Sequence, residues 1–411
     1  MNKKEGVFLL AILAVGLSVF VIYRKQMNCI NCLSSNILRQ DVQMKDAKSS
    51  TITFLAKELK KKLSLANVTA NVDNITTLCR TLKVQYEDKC NQTDVDDNCT
   101  QRQLPENLET RIEQLVFRKN LMISPYYRDV IRSMSSTITR SYDLIIVSAL
   151  SSNHYSETQA MLKNLHQKVF HCLTNFSLVL FDIGLTPGER SELEKYCRCT
   201  VITFPFHLFP PHFRTMKCFA WKPPIVRSMI DKANVVIWQD ASIRYTQPDV
   251  IPVMMRRTIE CGVQQRYYMG EIANPYYTLP QMCVTCIIVP FQMFEYFGDS
   301  PCAHMAFGQC EATFGMYHRE PLVVQAVLDP WLGCALSPVC TCPANQSQYQ
   351  DCHKFSLDPT KLGHCMRNDQ SSITVILAKL FREKFHHFVV NVEWFQDILR
   401  GEQSMYFSTL N

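Results

Sequence analysis

The sequence predicts a mixed α/β fold: a mostly parallel sheet flanked by helices, preceded by a transmembrane helix and a partly helical stalk. Three observations carry that expectation. From Tyr142 onward, short apolar runs of β-prone residues alternate with segments of helical spacing, as strands buried on both faces between helices require. Gly6 to Tyr23 is an uncharged, mainly apolar stretch of 18 residues, just long enough to span a bilayer. Six N-x-[ST] sequons and 19 cysteines among 411 residues point to an oxidising, secretory environment.

Composition narrows the function classes. With 47% apolar residues the chain can bury a sizeable core, and neither a disordered nor a collagen-like polymer fits. The net charge of +6 does not mark a nucleic-acid-binding surface. Residues 1–62 hold eleven Lys/Arg against four Asp/Glu, so the excess lies near the membrane and the rest of the chain is close to neutral.

Lys3, Lys4 and Glu5 precede the apolar stretch, and Arg24 and Lys25 follow it. A cleaved signal peptide would have an apolar region of roughly 7–15 residues ending in a small-residue site, so an uncleaved signal anchor is expected. Flanking charge is nearly balanced and does not orient the helix; the sequons do. Asn67, Asn74, Asn91, Asn98, Asn175 and Asn345 all follow the anchor. They predict a type II membrane protein of the Golgi, another secretory compartment or the cell surface. Its parts are a cytoplasmic tail (1–5), an anchor (6–23), a lumenal stalk (24–140) and a folded domain (141–411).

In the stalk, Glu106 to Asn120 sets Leu108, Ile112, Leu115 and Val116 at helical spacing, and Thr53 to Leu59 reads as another helical stretch. Cys79, Cys90 and Cys99 are expected in local disulfides. Cys29 and Cys32 could pair two chains into a homodimer, bridge to each other or stay free.

Within the domain, Tyr142 to Leu150, Phe176 to Asp182, Thr200 to Phe204 and Asn234 to Asp240 read as four strands. The helix after Thr186 opens with Pro187 and acidic residues in its first turn, and Pro223 to Ala233 forms another helix. Ser371 to Phe385 carries Ile373, Ile376, Leu377 and Leu380 at helical spacing. Ligands of open α/β sheets bind outside the carboxyl ends of the strands. That selects Ser148, Ala149 and Asn153 after the first strand, Asp182 after the second, and Asp240 and Ser242 after the fourth. No G-x-G-x-x-G follows the first strand and no phosphate-binding G-x-x-x-x-G-K-[ST] occurs. A diphosphate would then be held through a metal bridging Asp240 and the phosphate oxygens.

These segments resemble a glycosyltransferase of the GT-A, nucleotide-diphospho-sugar transferase type, and in particular a nematode-expanded family of uncharacterised type II membrane proteins. The resemblance rests on Tyr142 to His154 (YDLIIVSALSSNH), Phe219 to Pro223 (FAWKP), Val236 to Ser242 (VIWQDAS), Trp331 to Leu336 (WLGCAL) and Gly363 to Ser371 (GHCMRNDQS). It covers roughly residues 141–390. It implies a nucleotide-sugar donor, a glycan or glycoprotein acceptor and a divalent metal, Mn or Mg. In such enzymes the fourth-strand motif is usually D-x-D; here it reads Asp240-Ala241-Ser242, without the second carboxylate. Asp240, Ser242 and His364 become the metal-ligand candidates. Asp369 and Gln370 resemble an Asp-Gln pair that lies against the donor sugar in several retaining families, although Asp369 also reads as a plain helix cap. Lys222 could reach the diphosphate, and Trp221 could stack on a base or sugar. Glu271 lies where such chains build the acceptor side.

Two other classes remain in view. A degenerate GT-A-like fold could serve as a membrane-anchored binding protein, which the missing carboxylate favours. A methyltransferase lacks its glycine-rich loop here. Cys283, Cys286, Cys302 and Cys310 could also be read as a zinc site, but the spacing is imperfect and disulfides suit a lumenal chain. Cys334, Cys340, Cys342, Cys352 and Cys365 are expected to staple the segment before Asp369.

Overall fold

The computed structural model describes residues 46–66, 107–267, 291–299, 304, 309–343 and 367–410. The anchor, Cys29, Cys32, Glu271 and His364 lie outside them. Among the described residues no helix is long and apolar enough to cross a membrane. The chain divides into two compact units, Met1–Phe54 and Leu55–Asn411. In the first, residues 46–54 are helical; everything below concerns the second.

The helices and strands alternate largely as their periodicities require. In chain order they are α1 (Leu108–Val116), α2 (Pro125–Met134), β1 (Tyr142–Leu150), α3 (Tyr155–Asn164), β2 (Phe176–Asp182), α4 (Pro187–Tyr196), β3 (Thr200–Thr203), α5 (Lys222–Met229) and β4 (Ala233–Gln239). They continue with β5 (Ile243–Tyr245), α6 (Ile251–Cys261), β6 (Val263–Tyr267), α7 (Phe291–Phe297), β7 (Cys310–His318), α8 (Asp329–Ala335), α9 (Asn368–Phe381), β8 (Val389–Val390) and β9 (Gln396–Ile398). The start of α4 shows why the sequence stops and starts where it does. Thr186 caps Glu189 N while the Glu189 carboxylate returns to the Thr186 amide, and Pro187 fills the first helical position, where no amide partner is needed.

Seven strands of the described residues form one mostly parallel sheet in the order β3-β2-β1-β4-β7-β6-β8, and β5 pairs with β9 in a separate ribbon. β1 pairs parallel with both β2 and β4, so the chain reverses its direction of winding between β1 and β4. β7 enters between β4 and β6 antiparallel to both.

Alternation along each strand splits the core between two faces. Leu144, Ile146, Val235 and Ile237 join Met161 and Leu162 of α3, Leu193 of α4 and Met254 of α6 in one cluster. On the opposite side Ile145, Val147, Val236 and Trp238 are equally buried, with α5 against β1 and β4. Fully burying each such side chain contributes about 1.5–3 kcal/mol.

The fold begins earlier than the expected start of the domain. Leu55 and Leu59 are fully buried, and Lys62 reaches Glu320 at 2.9 Å and the Glu260 carbonyl at 2.7 Å, near the end of α6. Helix α1 buries Ile112 and Leu115, and Arg111 donates to the Leu380 carbonyl at 3.0 Å. These amphipathic segments, expected in a stalk, bury their apolar stripes against the sheet domain. Disulfides join Cys218 to Cys342 and Cys334 to Cys340, and Cys197 pairs with Cys199. Cys310 is a buried free thiol, and the other three members of the zinc reading lie outside the described residues.

Candidate active site

The β1–β4 switch point is where an open α/β sheet presents a crevice, and three distant parts of the chain meet beside it. Asp240 follows β4, Lys222 opens α5, and Asp369 is the second residue of α9. The Lys222 ammonium lies 3.2 Å from Asp240 Oδ1 and 2.9 Å from Asp369 Oδ2, and donates to the Ala312 carbonyl at 2.9 Å. The Asp369 contact is an ion pair whose angles fall short of a hydrogen bond, so Oδ2 is a buried acceptor without one.

Local structure fixes each member. Trp238 Nε1 donates to Asp240 Oδ1 at 3.0 Å, and the Asp240 amide donates to the Thr313 carbonyl at 2.8 Å. The Thr313 bond continues the β4–β7 register, and beside the Ala312 and Thr313 carbonyls the register of β7 with β6 slips. Gln265 pairs with Gly315 but Arg266 pairs with Glu311, which leaves Ala312, Thr313 and Phe314 without a register partner on β6. Trp331 of α8 donates to the Asp369 carbonyl at 3.0 Å. Two positive-φ residues precede the charged ones: Phe219 at 51° and Asn368 at 23°. Asn368 ties the two segments together through a 2.8 Å bond to the Lys217 carbonyl.

Burial sets the electrostatics. Lys222 and Asp369 side chains are 4% and 6% exposed, whereas that of Asp240 is 31% exposed. Burial alone would lower the Lys222 pKa, but Asp240 and Asp369 hold it above its ordinary value. For Asp369, burial raises the carboxyl above the usual range and Lys222 only partly offsets it. Trp221 Nε1, Thr313 Oγ1, Gln370 Nε2 and Ser371 Oγ, on residues beside these in the chain or at the site, are buried without hydrogen bonds. Such groups are few in a native fold.

The remaining sequence-selected residues divide sharply. Ser148 is 1% exposed inside β1, which runs two residues further than a cleft position needs. Asp182 is committed to its own turn: Oδ1 accepts from Gly184 and Leu185 amides at 2.9 Å, and Oδ2 pairs with Arg190 at 2.9 Å. Trp221 is 7% exposed and packs 6.0 Å from Trp238, so it offers no open face for stacking. Lys222 Nζ is buried against the Ala312 carbonyl and two aspartates, so it is not open to a ligand's phosphate. Asn153 is exposed on the turn after β1 and accepts from Ser151. Ser242 is 6% exposed and Gln370 likewise.

No group of three or more His, Cys, Asp or Glu side chains assembles for a metal among the described residues. Asp240 Oδ2, in contrast to Oδ1, makes no hydrogen bond within them. One carboxylate suits Mg²⁺ or Mn²⁺ when diphosphate oxygens and waters complete the octahedron, and Asp240 fits that limited role.

One pair at the site was not selected from sequence. His154 Nδ1 lies 2.8 Å from Glu157 Oε2, with the imidazole 57% exposed and the carboxylate 7% exposed. The i,i+3 spacing at a helix start was the signal available.

Residues 98–227 match a family described as a protein of unknown function, DUF1647. No curated protein matches the sequence. Among solved structures, the chain is similar to WbbM, a bifunctional glycosyltransferase, at 9% identity and TM-score 0.36; the match covers 62% of this chain and 39% of that one. It is also similar to mouse xyloside xylosyltransferase 1 (12% identity, TM-score 0.35, 61% and 85% covered). A third is core-mannan synthase A from Aspergillus fumigatus in an Mn/GDP form (11% identity, TM-score 0.35, 63% and 75% covered). The chain thus spans about two fifths of the first of these.

Proposed function

We propose that this protein is a glycosyltransferase that moves a sugar from a nucleoside-diphosphate donor to a glycan or glycoprotein acceptor. The observation that carries this reading is the convergence of Asp240 and Asp369, 129 positions apart in sequence, on one buried ammonium beside the β1–β4 switch point. A fold has little reason to gather two carboxylates, one of them buried, around one buried lysine for stability alone, since such pairs are often no better than apolar packing.

In the proposed reaction the bond from the anomeric carbon to the diphosphate oxygen breaks, a bond to an acceptor hydroxyl oxygen forms, and the hydroxyl proton leaves to a base. Asp240 faces the diphosphate side and would hold Mn²⁺ or Mg²⁺ through Oδ2. When bound, that cation stabilises the charge gathering on the leaving diphosphate. Asp369, fixed by Lys222 and Trp331, faces the donor sugar. Lys222 acts through these carboxylates as a positioning residue.

Donor binding is the experiment. The full-length protein in detergent should bind a nucleoside diphosphate more tightly with Mn²⁺ than with chelator, and Asp240→Ala should remove the difference. Binding of no nucleoside diphosphate under either condition would favour the second reading, a membrane-anchored binding protein on a degenerate fold, which Ser242 in place of a carboxylate supports. We place the body in the lumen of the secretory pathway or at the cell surface behind a type II anchor. Digestion of the body by protease added outside intact microsomes would overturn that topology.

A further inference from the structure

The cations nearest the strand end are already committed. Lys222 serves two carboxylates and a carbonyl. Arg244 of β5 pairs with Glu402 at 2.6 Å, and its terminal nitrogens go to the carbonyls of Ala241 at 2.6 Å and Glu157 at 3.1 Å. Two aspartates against one ammonium leave the floor of the site at best neutral. Beside a cation at Asp240, a diphosphate seated there would find no uncommitted positive hydrogen-bond donor in Lys222 or Arg244.

His154 supplies the missing group. Its Nδ1 is held by Glu157, whose other oxygen accepts from the Gly401 amide at 2.8 Å. With a carboxylate holding Nδ1–H the ring plane is set, and Nε2, on the far side of the ring, makes no hydrogen bond among the described residues; it carries a proton to donate only in the charged imidazolium. The same Arg244 that bonds Glu157 O also bonds Ala241 O, so the His154 turn is fastened to the turn that carries Asp240.

We propose that His154 Nε2–H is a hydrogen-bond donor to a phosphate oxygen of a nucleoside diphosphate at the β1–β4 switch point, with Glu157 as its positioning residue. This rests on the donor-binding reading above. The charged groups acting on the ring are Glu157 from its own helix and Asp240 from the β4 turn, with Arg244 and Glu402 flanking Glu157. The Glu157 hydrogen bond, against burial, holds the imidazole pKa above its ordinary value, and the charges of Glu157 and Asp240 add to it.

The test is calorimetric affinity of the full-length protein for UDP and GDP at pH 6, 7 and 8, with uridine and guanosine as phosphate-free controls. Affinity for the diphosphates should fall as pH rises through the His154 pKa. His154→Gln, at an exposed position, should melt like wild type, bind the diphosphates about tenfold more weakly at pH 6 and lose the pH dependence. Nucleoside binding should be unchanged by the substitution. Glu157→Gln, which keeps an acceptor for Gly401, should move the midpoint to lower pH. Diphosphate affinity of His154→Gln equal to wild type at every pH would overturn the role of His154 alone. If wild type binds neither diphosphate, the donor-binding reading falls with it.

Discussion

Lys222 Nζ and Asp369 Oδ2 lie 2.9 Å apart, with side chains 4% and 6% exposed, joining the first turn of α5 to the first turn of α9. This buried pair is the joint on which the site is built, because the same ammonium also reaches Asp240 at the end of β4.

Removing the ammonium should therefore cost more than removing a carboxylate. Lys222→Met leaves two carboxylates facing each other and should destabilise the fold by about 3–5 kcal/mol at pH 7 in denaturant melts. Asp369 already has a pKa above its ordinary value. Such a group favours the fold below its unfolded pKa, and that advantage is lost as pH rises through the folded one. Loss of Lys222 pushes it further up, so the deficit of Lys222→Met should shrink on acidification. Adding Asp369→Asn should recover part of it at pH 7. A pH-independent deficit would contradict the charge argument.

Phe219 holds a left-handed backbone, φ 51°, with its ring 5.5 Å from Lys222 Nζ and 42% exposed. Phe219→Ala removes the ring but keeps the strain, whereas Phe219→Gly removes both. The glycine variant should be the more stable of the two by roughly 1 kcal/mol. Equal melting would mean that the backbone there is unstrained.

Gly333 in α8 lies against the backbone of Leu121, where a Cβ would meet the carbonyl oxygen and approach Cα to 2.9 Å. Backbone cannot rotate away as a side chain does. Gly333→Ala should cost about 1–3 kcal/mol in melts. A neutral substitution would show that the 107–121 segment is not seated on α8.

What was legible in sequence follows from which forces act locally. The β1 run Tyr142–Leu150 was read to the residue because it is apolar on both faces, and α4 because its cap, Pro187 and Glu189 lie within one turn. β6 and β7 were not read. Val263–Tyr267 carries two glutamines and Arg266, which pair inside the sheet, Arg266 with Glu311 at 2.6 Å, so the polar pattern hides a buried strand. Asp240 was selected for its strand-end position and Lys222 and Asp369 through the resemblance, yet nothing local foretold that Lys222 would bind both carboxylates. Trp221 was expected at the cleft, and its packing on Trp238 depends on a strand that begins twelve residues later. His154 went unselected because its partner Glu157 gains its meaning only from Gly401, far along the chain.

Donor turnover decides between an enzyme and a binding fold. Release of nucleoside diphosphate from UDP-sugars and GDP-sugars should be followed with full-length protein in detergent, Mn²⁺ present, for wild type, Asp240→Ala and Asp369→Ala. Wild type should turn over at least one donor, and each variant should lose about 100-fold or more of that rate while still melting cooperatively. Folded variants that release diphosphate as fast as wild type, or a wild type that consumes no donor, would contradict a transferase site at Asp240 and Asp369.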